Sequence, residues 1–302
     1  MPDSRRGLIV GALAYVLWGV FPLYWTILEP AGAIELLAHR ILWSLVTMAL
    51  VLVLWRRVGQ LRSVLRDRRK VLLISGAAVV ISVNWGGYIW GVNNGRVVET
   101  SLGYFINPLV TVLMGVLVLG ERLRRLQWTA MAIAFVAVVV LALDYGRPPW
   151  VALVLAFSFG TYGLLKKQAA VDAVESITLE TLVLAPVAAA YVLWLVADGR
   201  SNFGSHGVGH ALLITTTGII TAVPLMLFGA AAIRVSMVSL GLLQYLAPTI
   251  QFALGLLVFH EPMPASRWIG FGLVWVALAI FTVEAVNHRR RQLRLVAQAS
   301  AC

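Results

Sequence analysis

Apolar residues gather along the chain in runs of about 20, the length a helix needs to cross roughly 30 Å of hydrocarbon. Ten such runs are legible, near residues 8–28, 34–54, 71–91, 98–119, 126–144, 150–165, 176–197, 208–230, 237–259 and 267–286. The polar connections between them are short, about twenty residues at most, so no soluble domain is expected between spans. In hydrocarbon only a helix or a closed barrel satisfies every backbone polar group, and runs of this length fit the helix. The pattern predicts an all-α polytopic membrane protein with ten transmembrane helices.

Composition strengthens that picture. Of 302 residues, 60% are hydrophobic and 12% charged, against about 45–50% and 25% in a globular domain. The net charge of +11 would suit a nucleic-acid surface only if the cations shared one folded face. They sit instead in the connections: Arg5 and Arg6; Arg56, Arg57, Arg62, Arg66, Arg68, Arg69 and Lys70; Arg122, Arg124 and Arg125; Lys166 and Lys167; Arg234; and Arg289, Arg290, Arg291 and Arg294. With the N-terminus in the cytoplasm all of these fall on the inner side, while the outer connections hold Arg96, Arg147, Arg200 and Arg267. The positive-inside rule therefore predicts both termini in the cytoplasm, with the basic clusters meeting lipid headgroups and no nucleic-acid partner. The run after Arg6 resembles a signal sequence, but it is longer than a usual h-region and no A-x-A-like site with a soluble domain follows, so it is expected to remain as span 1. The single Cys302 allows no internal disulfide and no cysteine-based metal or redox site.

The chain repeats itself. Pro108, Gly115, Glu121 and Trp128 have the spacing P-x6-G-x5-E-x6-W, and Pro248, Gly255, Glu261 and Trp268 reproduce it with every residue displaced by 140. SLG at 101–103 answers SLG at 239–241, LLIS at 72–75 answers LLIT at 212–215, and Trp18-Gly19 answers Phe159-Gly160. Five spans per copy is an odd number, so the second copy enters the membrane from the opposite side. The expected organisation is two inverted five-helix repeats, residues 1–146 and 147–288, with a basic cytoplasmic tail at 289–302. Inverted repeats recur in secondary transporters, whose site lies near the midplane between the halves.

Charged side chains at the bilayer centre cost at least about 2.5 kcal/mol on insertion scales, so they face the bundle interior or a wet cavity. Glu35 and His39 lie four apart on one face of span 2 with Arg40 beside them. That grouping fits either a structural ion pair or proton coupling, because histidine titrates near neutrality. Glu180 lies in span 7, at 140 from Arg40, and Glu99 at the mouth of span 4. These five are the coupling candidates. Asn84, Asn107 and Gln244, together with Trp18, Trp85, Tyr88, Tyr104 and Tyr245, are the candidates for contact with an organic substrate. Mid-span prolines remove a backbone hydrogen bond and free a carbonyl, and Pro108 and Pro248, matched across the repeat, are the predicted helix kinks beside the site. Gly87, Gly91 and Gly95 form a small-xxx-small ridge suited to close helix packing.

No energy source is encoded, since the lysines are Lys70, Lys166 and Lys167 and none follows glycine as a phosphate-binding loop requires. No H-E-x-x-H or paired-aspartate motif occurs, so neither an enzyme nor a metal or other cofactor is expected. The stretches AYVLWGVFPLYW, IELLAHRILWS, NWGGYIWGVNN, ETSLGYFINPL, LGERLRRLQW, FSFGTYGLLKK and LLQYLAP, in this order, resemble the RarD branch of the EamA family within the drug/metabolite transporter superfamily. The likeness extends from about Arg6 to His288, with HEPMPASRW in the second half departing from GERLRRLQW in the first. It implies ten helices in two EamA repeats, a cytoplasmic (cell) membrane location, and export or exchange of a small organic solute. The expectation is thus a secondary transporter of a small organic metabolite or drug, working by alternating access, with a proton as the candidate coupling ion. The alternative is a passive small-solute channel or facilitator.

Overall fold

A computed structural model of the chain describes residues 2–119, 124–232 and 243–299. Glu121, the first part of span 9 and Cys302 lie outside the described residues, as does the side chain of Pro108. The helices found among the described residues are α1 (Pro2–Gly19), α2 (Phe21–Ile27), α3 (Ala33–Leu54), α4 (Val58–Arg66), α5 (Arg68–Asn93), α6 (Val97–Leu119), α7 (Arg125–Asp144), α8 (Trp150–Ala169), α9 (Ala173–Ala197), α10 (Gly207–Thr215), α11 (Thr217–Ala232), α12 (Leu246–Leu257) and α13 (Ala265–Ala299). Among the described residues seven segments are long and apolar enough to cross a membrane: Arg6–Ile27, Ala33–Leu54, Arg68–Asn93, Arg125–Asp144, Ala173–Ala197, Gly207–Phe228 and Ala265–Glu284. Shorter apolar helices at Trp150–Lys166 and Leu246–Leu257, and the apolar α6, pack among them.

Two of the seven segments are interrupted, each for a local reason. Pro22 has no N–H to return to the carbonyl of Trp18, so α1 stops at Gly19 and α2 begins after Val20. The freed Trp18 carbonyl accepts a hydrogen bond from the side-chain amide of Gln251 in α12, at 3.1 Å. Gly19 permits the approach, because a Cβ there would lie 2.8 Å from the Ile250 side chain. Thr216 separates α10 from α11, and its hydroxyl turns back to the Leu213 carbonyl. Pro186 and Pro224 sit inside the continuous helices α9 and α11. Pro248 is the third residue of α12, where an amide would have had no helical partner to lose.

The basic connection after α3 is itself helical, which periodicity over long apolar runs does not reveal. Its short helix α4 buries Val64, and the carboxylate of Asp67 then accepts from the amides of Arg69 and Lys70 at 3.0 and 3.2 Å to start α5. Between α5 and α6 the chain reverses at Gly95, whose φ of 62° falls in the left-handed region that glycine enters without strain. At the other end of the chain α13 continues through the expected basic tail as far as Ala299.

In the bundle α3 lies against α9 and α11, α5 against α8 and α9, α6 against α8 and α12, α1 against α11 and α12, and α7 against α13. One apolar core joins Leu102, Phe105 and Leu109 to Leu141, Phe252 and Phe271; another surrounds Trp25, Leu36, Ile89 and Leu155. The outward faces carry large apolar side chains such as Leu72, Phe135 and Leu143, as lipid contact requires. α7 and α13 run antiparallel and are clamped at both ends. Arg124 at the start of α7 meets Glu284 just past the middle of α13 at 2.9 Å, and Arg267 early in α13 meets Asp144 at the end of α7 at 2.7 Å. Ser266 also donates to Asp144.

Candidate functional site

Of the polar side chains expected in the bundle interior, all but the half-buried Gln244 are buried. The central group surrounds Arg40, which lies on the inner face of α3 and is 4% exposed. Its Nε donates to the Thr221 hydroxyl of α11 at 2.9 Å. Its guanidinium carbon stands 4.1 Å from the centre of the Trp85 ring of α5 and 5.3 Å from that of Trp25 in α2. Arg40 therefore draws on both halves of the chain, and cation–π attraction stabilises its charge without a carboxylate. The phenols of Tyr24, Tyr88 and Tyr104 lie within electrostatic range of it.

Asn84, one residue before Trp85, fixes the next layer. Its Nδ2 donates to the Leu155 carbonyl and to the Ser158 hydroxyl of α8, both at 2.9 Å, and its Oδ1 accepts from the Tyr104 hydroxyl at 3.4 Å. The Tyr104 ring meets Tyr88 edge-on at 5.7 Å and Phe159 at 6.4 Å. Gly103 lets α6 approach α8 here, since a Cβ would stand 2.8 Å from the Ala152 carbonyl oxygen. Trp85, Tyr88, Tyr104, Asn84 and Arg40 are thus brought together.

Glu35 and His39 turn elsewhere. Glu35 accepts from the Ser201 hydroxyl at 3.1 Å, from the Asn202 amide at 2.7 Å and from the Asn202 side chain at 2.8 Å, which pins the connection after α9 onto α3. His39 stacks on Phe203 of that connection at 4.7 Å.

At one end of the bundle Glu99, 2% exposed, accepts from both Nη groups of Arg147 at 3.4 and 2.9 Å and from the Val151 amide at 3.1 Å. It so caps the start of α8. Beside it Glu261, from the α12–α13 connection, takes the amides of Val97 and Val98 at the first turn of α6. Burial holds the Glu261 carboxyl above its ordinary value, while those two amides and Arg267 pull it back down. At the other end Glu180 accepts from Lys166 at 2.7 Å, Ser176 at 2.8 Å and Tyr162 at 3.1 Å. Arg57 binds Asp172 at 2.6 Å and Glu175 at 2.9 Å, tying α4 to the start of α9.

The remaining candidates lie apart from Arg40. Trp18 packs against Tyr15 at 5.3 Å and Phe228 at 5.9 Å. Asn107 is buried within α6, and Gln244 sits half-buried in the turn before α12. Tyr245 lines a lateral groove of about 330 Å³ with Phe105, Thr249, Trp275 and Thr282. The sequence did not single out Thr221, Trp25, Ser158, Arg147 or Lys166. Trp25 lies in AYVLWGVFPLYW and Ser158 and Lys166 in FSFGTYGLLKK, but nothing in those stretches marks them as facing the interior, and Thr221 and Arg147 lie outside every quoted stretch.

A helical bundle with its charges turned inward and its apolar side chains outward is a multi-pass integral membrane protein. Residues 5–143 match the EamA-like transporter family. Protein RarD of Streptomyces exfoliatus is 59% identical over 289 residues, covering 96% of this chain and 92% of that protein. The uncharacterized transporter YojE of Bacillus subtilis is 44% identical over 292 residues, covering 95% and 97%. A solved crystal structure at 20% identity aligns with a TM-score of 0.60 over 93% of this chain and 98% of that one, which shows a shared fold. The chain belongs to the RarD branch of the EamA family, and hence to the drug/metabolite transporters of the membrane.

Proposed function

We propose that the protein is a secondary transporter that moves a small organic solute across the cytoplasmic membrane by alternating access between two inverted five-helix repeats. In this reading ten spans cross the bilayer, both termini face the cytoplasm, and the solute binds between the halves near Arg40, Trp85, Tyr88 and Tyr104. The observation that carries the reading is the reciprocity of helix contacts under the 140-residue displacement. Asp144 and Glu284, related by that displacement, each close one end of the α7–α13 pair. Likewise the α5–α8 and α6–α8 contacts have counterparts in α11–α1 and α12–α1. A two-fold relation between halves gives two arrangements of similar energy, which is what alternating access needs.

The test is solute counterflow in proteoliposomes. Vesicles carrying the purified protein are preloaded with amino acids, nucleosides, organic acids or chloramphenicol, and uptake of the labelled compound is followed. Saturable uptake that an internal load accelerates is the expected result. Flux linear in concentration, accompanied by single-channel conductance, would establish a passive channel instead.

A further inference from the structure

We infer that the transported solute is a small organic carboxylate and that Arg40 is the residue that holds its carboxylate group. The inference rests on the transporter reading above and assigns it a substrate class. A cation 4% exposed carries a desolvation cost that a partner anion normally offsets. Two other buried charges of the bundle have such a partner: Glu180 has Lys166 at 2.7 Å, and Glu99 has Arg147 at 2.9 Å. Among the described residues no carboxylate reaches ion-pairing distance of Arg40. Glu35, on the same helix, is engaged by Ser201 and Asn202.

The surroundings repeat the same deficit. The Trp25 indole nitrogen and the Tyr88 hydroxyl, on side chains 0% and 4% exposed, have no hydrogen-bond partner. An indole N–H can only donate, and an ionised carboxylate can only accept. A cation with unanswered donors beside it and no carboxylate among its described neighbours is the complement of a small anion. With Nε on Thr221 and indole rings against the guanidinium, the two Nη groups remain as a fork, and a fork matches the paired oxygens of a carboxylate. The rings of Trp25, Trp85, Tyr88 and Tyr104 suit an apolar organic body rather than an inorganic ion. At the position 140 residues further on, Glu180 already has its donors, so the unanswered charge belongs to one half alone.

The test uses the full chain in detergent, titrated by tryptophan fluorescence and thermal unfolding with benzoate, phenylacetate and hexanoate, with the uncharged amide of each, and with phenyl phosphate. The acids are expected to bind roughly thirtyfold or more tightly than their amides, the lower range for losing one partner of a buried charge pair. Arg40→Gln erases that preference, and Arg40→Lys, which keeps the charge without the fork, retains part of it. Tyr88→Phe removes a hydroxyl with no protein partner, so it folds normally and weakens the acids alone; it decides the matter if Arg40→Gln does not fold. Equal affinity for acids and amides, no binding by any acid, or a preference that survives undiminished in Arg40→Gln or, where that variant does not fold, in Tyr88→Phe overturns the inference. Tighter binding of phenyl phosphate transfers the site to phosphate esters and overturns the carboxylate assignment. Acids that bind but show no counterflow would leave the Arg40 site standing and remove the transport reading, whereas counterflow of neutral solutes alone would do the reverse.

Discussion

Gly218 is the residue whose replacement has the most calculable outcome. A Cβ built on it would stand 2.2 Å from the carbonyl oxygen of Trp43, 2.4 Å from the carbonyl carbon and 2.7 Å from the Thr47 hydroxyl oxygen. The obstacle is helix backbone and cannot rotate aside, and its oxygen already accepts from Thr47 at 2.8 Å. In Gly218→Ala, α11 must therefore retreat from α3 by roughly 1 Å, an overpacking strain of about 1–3 kcal/mol. Thr221, one turn further along, would be carried out of range of Arg40 Nε, now 2.9 Å away, at a further cost of about 1.5–3 kcal/mol for a charged hydrogen bond. The better helix propensity of alanine returns about 0.5–1 kcal/mol, for a net loss of about 2–5 kcal/mol. Gly163→Ala in α8 is the control, because nothing lies within 4 Å of the added methyl, and it should gain about 0.5–1 kcal/mol from propensity. Unfolding of both variants in detergent, by heat and by dodecyl sulfate, followed through tryptophan fluorescence, reads the difference. Gly218→Ala unfolding at or above the unmodified protein would refute the close approach of α3 and α11.

Three other outcomes follow from the geometry. Arg124→Glu and Glu284→Arg should each lower the unfolding midpoint, and the double exchange should recover about 1 kcal/mol of coupling in a double-mutant cycle; a coupling of zero would remove the clamp between α7 and α13. Glu35→Ala strips three hydrogen bonds from the connection after α9, so trypsin should cut more rapidly after the exposed Arg200, and an unchanged cutting rate would contradict the anchoring role. For Glu261, a carboxyl raised above its ordinary 4.5 by burial binds its proton more readily folded than unfolded, so its contribution to stability is present at low pH and is lost as pH rises above 4.5 through the folded value. The stability difference between the unmodified protein and Glu261→Gln should therefore shift against the unmodified protein across that interval, and a shift in its favour would contradict the sign.

Much of the scaffold was legible because the bilayer imposes one strong rule: long apolar runs become helices. The same rule explains why Asn84, Glu99, Asn107 and Glu180 could be placed in the interior from sequence, since each sits in an apolar run and each is buried. Their partners were not legible. Glu35 is followed four residues later by His39, which invites a local pair, yet its acceptors are filled from Ser201 and Asn202, 166 and 167 residues away. Arg40 likewise finds Thr221 at a separation of 181 residues. Within a span both the lipid face and the core face are apolar, so periodicity marks no neighbour, and the partner of a polar side chain depends on which helix happens to stand beside it. Pro22, like Pro108, Pro186, Pro224 and Pro248, falls within an apolar run, and the end of α1 at Gly19 gains its consequence from a glutamine contributed by α12.

Glu261 belongs to the connection that follows α12, and the amides it holds belong to the first turn of α6. Any motion that draws these two apart leaves a carboxylate and two N–H groups to be hydrated together. Separation at this end of the bundle is thus a wetting event. Solutes excluded from protein surfaces, such as sucrose, penalise newly hydrated area and hold the contact shut. This rim of the protein therefore responds to the activity of water itself.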